Sequence, residues 1–191
     1  MLQFDAATHT YTLAGRKLPS VSEIIAPLQD FSMVPTHVLA AACEFGKNVH
    51  AACDLYNRDQ LDWDSLDPAL APYVRSWVKF LEQTGAVVIA SECRVYDDQL
   101  GYAGTPDIIL AWGARTVVPD LKATAVVPRT VGIQTAAYAK AYARTHECRE
   151  PQRYCIHLQE DRFRSHKRDD PSDWSMFLSC LNVWKFNNAN H

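Results

Sequence analysis

The apolar pattern of this chain changes period partway along, and that change limits the folds open to it. Between Thr36 and Tyr56, Val38, Leu39, Ala42, Phe45, Val49, Ala52 and Leu55 recur at helical spacing. Tyr73, Trp77, Phe80 and Leu81 do the same from Ala71 to Gln83, where Gly85 closes the helix. From Ala86 onward β-branched residues take over. Ala86 to Tyr96, Thr105 to Trp112 and Thr116 to Leu121 predict three strands, with turns at 97–101 and 113–114. Helical spacing returns over Val131 to Thr145, with Ile133, Ala137, Tyr138 and Ala141 inward. A strand at Arg153 to Gln159 follows, with a short partner near Phe163, and then a helix from Trp174 to Phe186 capped by Ser172 or Asp173. Ahead of these lie a hairpin over 2–18, turning at Ala14-Gly15, and a short helix opened by a Ser20/Glu23 capping box. The order predicts an α/β fold, a central mixed sheet flanked by helices. With 191 residues and no repeat or low-complexity linker, residues 1–191 are expected to form one domain.

No apolar run is long enough to cross a bilayer, so no membrane association is expected. Met1-Leu2-Gln3-Phe4-Asp5 lacks the basic-then-apolar pattern of a secretion signal, which predicts a cytoplasmic location. None of the six cysteines forms a C-x-x-C pair, so structural zinc or an iron–sulfur cluster is not expected. Reduced, mostly buried thiols are the expectation instead. A net charge of −3 argues against a nucleic-acid partner. Acidic metal ligands subtract from that count, however, and basic residues can be local, as in the run 162–168. Charge alone reads that run as a solvated hairpin.

The segment 102–122 carries the chemistry. Asp107, in Gly104-Thr105-Pro106-Asp107, and Asp120 stand thirteen residues apart (107 to 120), each beside a strand of a tight meander. The two can therefore converge at one sheet end. Asp120 and Lys122 are two apart and project from one face of a strand, and Leu121 between them offers its carbonyl as a hard oxygen ligand. Mg²⁺ prefers such oxygens and keeps several waters, and a lysine beside it can orient or deprotonate an attacking water. A lone Asp-x-Lys is ordinarily a solvated strand edge; the upstream Gly-x-Pro-Asp makes coincidence much harder. Glu92, between Ile89 and Val95, reads as either edge-exposed or a ligand. His50 by itself reads as a hydrogen-bonded core residue.

Together these residues resemble the PD-(D/E)XK nuclease superfamily, and within it the RecB-type and lambda-exonuclease-like branch common in phages. The resemblance covers most of the chain, including the opening Phe4 to Ile25 with His9-x-Tyr11. It implies a restriction-endonuclease-like core. It assigns Glu92, Asp107, Asp120 and Lys122 as catalytic, with His50, Glu92, Asp107, Asp120 and Leu121 holding Mg²⁺ or Mn²⁺. His50 enters through Gly46-x-x-Val49-His50, which matches the family's G-x-x-x-H helix. Gln134 and Tyr138 match its Q-x-x-x-Y helix, which helps to position DNA. Arg129, Lys140 and the 162–168 run are further candidate phosphate contacts. One departure is that Ala123 follows Lys122 where relatives often have Thr, and Thr124 comes one residue later.

The implied activity is a metal-dependent deoxyribonuclease, an exonuclease serving recombination, repair or phage DNA processing. The implied partners are DNA, a single-strand annealing or recombination protein, and further copies of the chain in a trimer or tetramer. A phage-encoded protein would work in the host cytoplasm. Two alternatives stay open: an endonuclease or junction-cutting enzyme of the same fold, and a DNA- or protein-binding module without turnover.

Overall fold

The computed structural model describes residues 2–189. The chain begins with strands β1 (Leu2–Asp5), β2 (Thr10–Leu13) and β3 (Arg16–Leu18), paired in that order as a small antiparallel sheet. The β2–β3 turn falls on Ala14-Gly15 as expected, both with positive φ. Ser20 caps helix α1 (Val21–Ile25) with Glu23 completing the capping box.

Helices α2 (Thr36–Asn57) and α3 (Ala71–Thr84) follow, α3 ending on Gly85 at φ 64. The expected inner face of α2 holds only in part. Val49, Ala52 and Cys53 are buried, but Val38 and Leu55 are exposed and most of Thr36–Glu44 stands in solvent. Spacing revealed the helix; it did not reveal that its first turns stand in solvent.

The expected strand 86–96 is two strands. β4 (Val87–Ser91) belongs to the main sheet, and β5 (Val95–Asp97) pairs with β6 (Tyr102–Gly104) in a separate ribbon. The break is at Glu92, whose φ of 51 turns the chain off the sheet. Glu92 is thus past a strand end, where a strand residue was expected. Likewise the second expected strand begins later, as β7 (Ile108–Trp112), with Asp107 just ahead of it.

The main sheet adds β8 (Arg115–Lys122), β9 (Gln152–Gln159) and β10 (Arg162–Lys167), in the order β10-β9-β8-β7-β4. Only β8 and β9 run parallel, joined by helix α4 (Thr130–Thr145); helix α5 (Ser172–Asn188) closes the chain. The central mixed sheet flanked by helices is therefore present. The α5 cap is not the expected one: Pro171 holds that position without a side-chain cap, while Asp173 pairs with Arg153 at 2.9 Å.

Alternation assigns the two faces. Ile108, Leu110, Val117 and Leu121 pack with Val49, Trp77 and Phe80 of α2 and α3. Ile109 and Val118 pack with Ala137, Tyr138 and Phe177 on the α4 and α5 side. Burying each such large apolar side chain contributes about 1.5–3 kcal/mol. The thiols depart from expectation. All six cysteines are free, but only Cys53 and Cys155 are buried, and Cys43 and Cys148 are exposed. Among the described residues no helix is long and apolar enough to cross a membrane.

Candidate active site

The site is built at a fork between β7 and β8. Their antiparallel ladder runs Trp112↔Arg115, Ala111↔Thr116, Leu110↔Val117 and stops. In a two-residue hairpin the closing pair is hydrogen-bonded, and bonded pairs alternate from there. Leu110–Val117 is thus a bonded pair, and the next would be Ile108–Pro119. Pro119 has no N–H to give, so the ladder ends and the strands part. Carrying the same register three rungs on sets Asp107 opposite Asp120.

Side chains close the fork. His50, from α2, lies with Nδ1 3.3 Å from Asp107 Oδ2 and Nε2 3.0 Å from the Leu121 carbonyl. Both partners are acceptors, which favours the charged ring, able to donate from both nitrogens. Burial works against that charge, but the hydrogen bond and charge of Asp107, with Asp120 adding, raise the His50 pKa above the ordinary value. Lys122 Nζ lies 2.7 Å from Asp120 Oδ2, and the Asp120 side chain is 3% exposed.

The two aspartates are driven apart. Burial and the Asp107 charge hold the Asp120 carboxyl above the usual range despite Lys122. Burial also presses Asp107 upward, but His50 outweighs it and the carboxyl is held below that range. Lys122 is buried too, yet Asp120 and Asp107 keep its pKa raised, so it stands as an ammonium. Glu92 is raised by burial and then by Asp107, and its N–H donates to the Asp107 carbonyl at 2.9 Å. His50, Glu92, Asp107, Asp120, Leu121 and Lys122 are therefore brought together.

Gln134 and Tyr138 reach the same place from α4, lining one cavity with Glu92 and Asp107. Gln134 Nε2 donates to the Tyr138 hydroxyl at 3.4 Å. Tyr138 needs Gly104: a Cβ there would sit 2.5 Å from Tyr138 Cε1. His157 Nε2 donates to the Thr124 carbonyl at 2.6 Å and braces the segment after Lys122. Two expected phosphate contacts lie elsewhere. Lys140 is paired with Glu150 at 2.6 Å and sits over the Trp174 ring. Arg129 lines a separate cavity of 530 Å³ beside Arg168 and the start of α5.

Strand register also exposes a cationic stripe that composition concealed. Lys122 pairs with His157, which pairs with Arg164; Asp120 pairs with Cys155, which pairs with His166. Paired residues share a face, so Arg162, Arg164, His166 and Arg168 lie on the face of Asp120 and Lys122. Phe163 points to the other side, into the α3 core. Among the described residues Arg162, Arg164 and Arg168 make no ion pair, whereas Lys167, on the other face, pairs with Asp169 at 3.0 Å. The stripe repels itself. Partial burial, then Arg168, His157 and Arg164 together hold the His166 pKa below its ordinary value. The signal was in the sequence, as basic residues at every second position of Arg162-Phe163-Arg164-Ser165-His166-Lys167-Arg168.

Among the described residues, no three His, Cys, Asp or Glu side chains gather into a metal cage. Magnesium does not require one, because it binds through one or two carboxylates while waters and substrate phosphates complete the shell. A carboxylate pair facing across a fork, with the Leu121 carbonyl oxygen beside it, fits that demand.

No family model and no curated protein matches the chain. Solved structures do. An alkaline exonuclease, LHK-Exo from Laribacter hongkongensis, aligns over 88% of this chain and 89% of its own, with 11% identity and a TM-score of 0.40. The same enzyme in complex with dAMP aligns over 89% and 90%, with 15% identity and a TM-score of 0.34. The protein SSO0001 aligns over 61% of this chain and 56% of its own, with 11% identity and a TM-score of 0.39.

Proposed function

We propose that this chain is a divalent-metal-dependent DNA nuclease of the PD-(D/E)XK type, its whole length serving as one catalytic domain. The observation that carries the reading is the fork. Two aspartates, Asp120 buried and Asp107 partly buried, meet beyond a ladder that a proline terminates, with a lysine on one and a histidine joining the other to a backbone carbonyl.

In this reading Asp107, Asp120 and the Leu121 carbonyl would hold Mg²⁺ or Mn²⁺, with Glu92 and, once neutral and turned from one of its two oxygens, His50 completing one or two positions. When bound, the ion supplies charge stabilisation at the phosphate oxygens and acidity to water. Lys122, standing as an ammonium, orients the attacking water and offsets charge that develops on the phosphate. Tyr138 and Gln134 fix the wall against which the scissile nucleotide rests. The stripe on β10 binds the backbone of the DNA strand leading to the fork, which reconciles a net charge of −3 with a polyanionic substrate.

Exonucleolytic digestion in recombination, repair or phage DNA processing is the mode proposed. End-labelled linear duplex incubated with Mg²⁺ tests it, beside Lys122→Ala and a covalently closed circle. The native chain should degrade the linear duplex and spare the circle, and Lys122→Ala should cut neither DNA. Equal activity in both proteins, or none in the native one, would defeat the mechanism; cutting of the circle would defeat the exonuclease mode.

A further inference from the structure

We infer that the outer face of α5 is a self-association surface, on which two copies of this chain pair with their α5 helices antiparallel. The inference goes beyond the nuclease reading and does not rest on it.

Helix α5 is apolar on two sides. Phe177 and Leu181 are buried, with Trp174 and Trp184 packed beside them against α1 and α4. Met176, Val183 and Phe186 point the other way and are 45%, 56% and 73% exposed. At about 100° per residue the two sets lie about 150° apart around the helix. A helix apolar all round is ordinarily a buried one, so the composition of α5 calls for cover on its outer side as well.

Spacing gives the shape of that cover. Met176, Ser179, Val183 and Phe186 follow one another at intervals of three, four and three, the a and d positions of a heptad. Such a seam accepts another helix. Charge narrows the partner further. The only charged residues of α5 are Asp173, bound to Arg153 at 2.9 Å, and Lys185, which projects well away from the seam. A nucleic acid needs a cationic surface, and a helix that lies on a membrane carries lysine and arginine along its polar face; α5 offers neither. A second copy presents a seam of the same character. Across a twofold axis like faces like, which brings no repulsion where no charge is present.

Side-chain size sets the direction. Antiparallel helices place Met176 against the partner's Phe186 and Ser179 against the partner's Val183, and each layer then occurs twice. Parallel helices would place Phe186 on its own copy and Ser179 on its own copy, crowding one layer and leaving another hollow. A helix of 17 residues presents a face about 25 Å long and 10 Å wide, too little by itself for the roughly 1,200–2,000 Å² that a stable interface buries. The apolar surface continues past it. Leu28 lines a cavity with Met176, and Phe31, Met33 and Val34 are exposed on the segment that follows Leu28. An interface of that size predicts a dimer that dissociates on dilution.

Sedimentation velocity over a dilution series should show the native chain passing from dimer to monomer. Val183→Lys and Phe186→Lys, both at exposed positions, should weaken association about thirtyfold, as loss of one hot spot does. Urea unfolding at monomeric dilution should match the native chain, which separates lost pairing from a folding defect. Mixing Ser179→Glu with Val183→Lys tests direction. Antiparallel helices set the new carboxylate against the new ammonium and leave the other layer native, so the mixture should associate where each variant alone does not. A native chain that stays monomeric up to its solubility limit overturns the inference, as does a trimer or larger ring that Phe186→Lys leaves intact. A mixture no stronger than its parts overturns the antiparallel pairing. Binding of the native chain to phosphatidylcholine vesicles, lost in Phe186→Lys, would give the face to a membrane and overturn it too.

Discussion

Lys122 and Arg164 stand in one transverse row of the sheet, joined through His157, yet they occupy opposite electrostatic worlds. At the Lys122 end Asp120 is buried, Lys122, Asp107 and His50 are partly so, and each has an opposite partner. Asp120 lies 2.7 Å from the ammonium and His50 3.3 Å from Asp107. At the Arg164 end the charges are exposed, alike in sign and unanswered within the described residues. Opposite charges desolvated together strengthen one another and fix geometry. Like charges left in water bind nothing internal and remain available to a polyanion. In the proposed reading, one row contains a centre for chemistry and a cationic approach for the backbone.

Four substitutions or conditions would break or sharpen that contrast, in falling order of size. Asp120→Asn should lower single-turnover cleavage on the order of 10³-fold, as loss of one preorganised electrostatic group does. DNA affinity, measured by fluorescence anisotropy in Ca²⁺, should be nearly retained; a matching loss of affinity would mean the two ends are not separable. Gly104→Ala should drive Tyr138 off its seat and destabilise the fold by about 1–3 kcal/mol, read in urea unfolding. Activity should fall with it.

Arg164→Ala with Arg168→Ala should do the reverse of Asp120→Asn. Turnover at saturating DNA should hold while affinity drops, and the slope of log K against log salt should flatten by about one to two. An unchanged slope would show that the stripe touches no phosphate. The smallest effect concerns His166. Its folded pKa lies below the ordinary value, so the free chain resists protonation there, and stability falls as pH drops through the unfolded value. A bound polyanion favours the protonated form. Affinity should therefore rise as pH falls from 8 to 6, by less than about tenfold, and the rise should shrink in His166→Gln.

Much of the fold was legible because it is local. Period changes located α2, α3, α4 and the meander, and the Ser20/Glu23 box marked α1. The convergence of residues 107, 120 and 122 was legible because a strand's two-residue period and a tight meander leave few ways for them not to meet. What escaped depends on partners distant in sequence. Val38 is exposed despite its helical spacing, since burial needs a facing element that spacing cannot announce. Lys140 had the right charge for DNA, but Glu150 and Trp174 claim it. Glu92 was taken for a strand residue because Ile89 and Val95 flank it, and its left-handed backbone is invisible in composition. The seat of the hairpin beside the site, where the Tyr11 hydroxyl meets Thr105, joins residues distant in sequence.

Pro119 has a consequence beyond ending a ladder. A gap between two strands is ordinarily self-healing, since free N–H and C=O groups draw the edges together or recruit a stray strand. A residue that can only accept denies the gap its first stitch. Thermal breathing can widen the mouth at residues 107–120 but cannot zip it shut, so the mouth is held open by covalent structure rather than by a ligand.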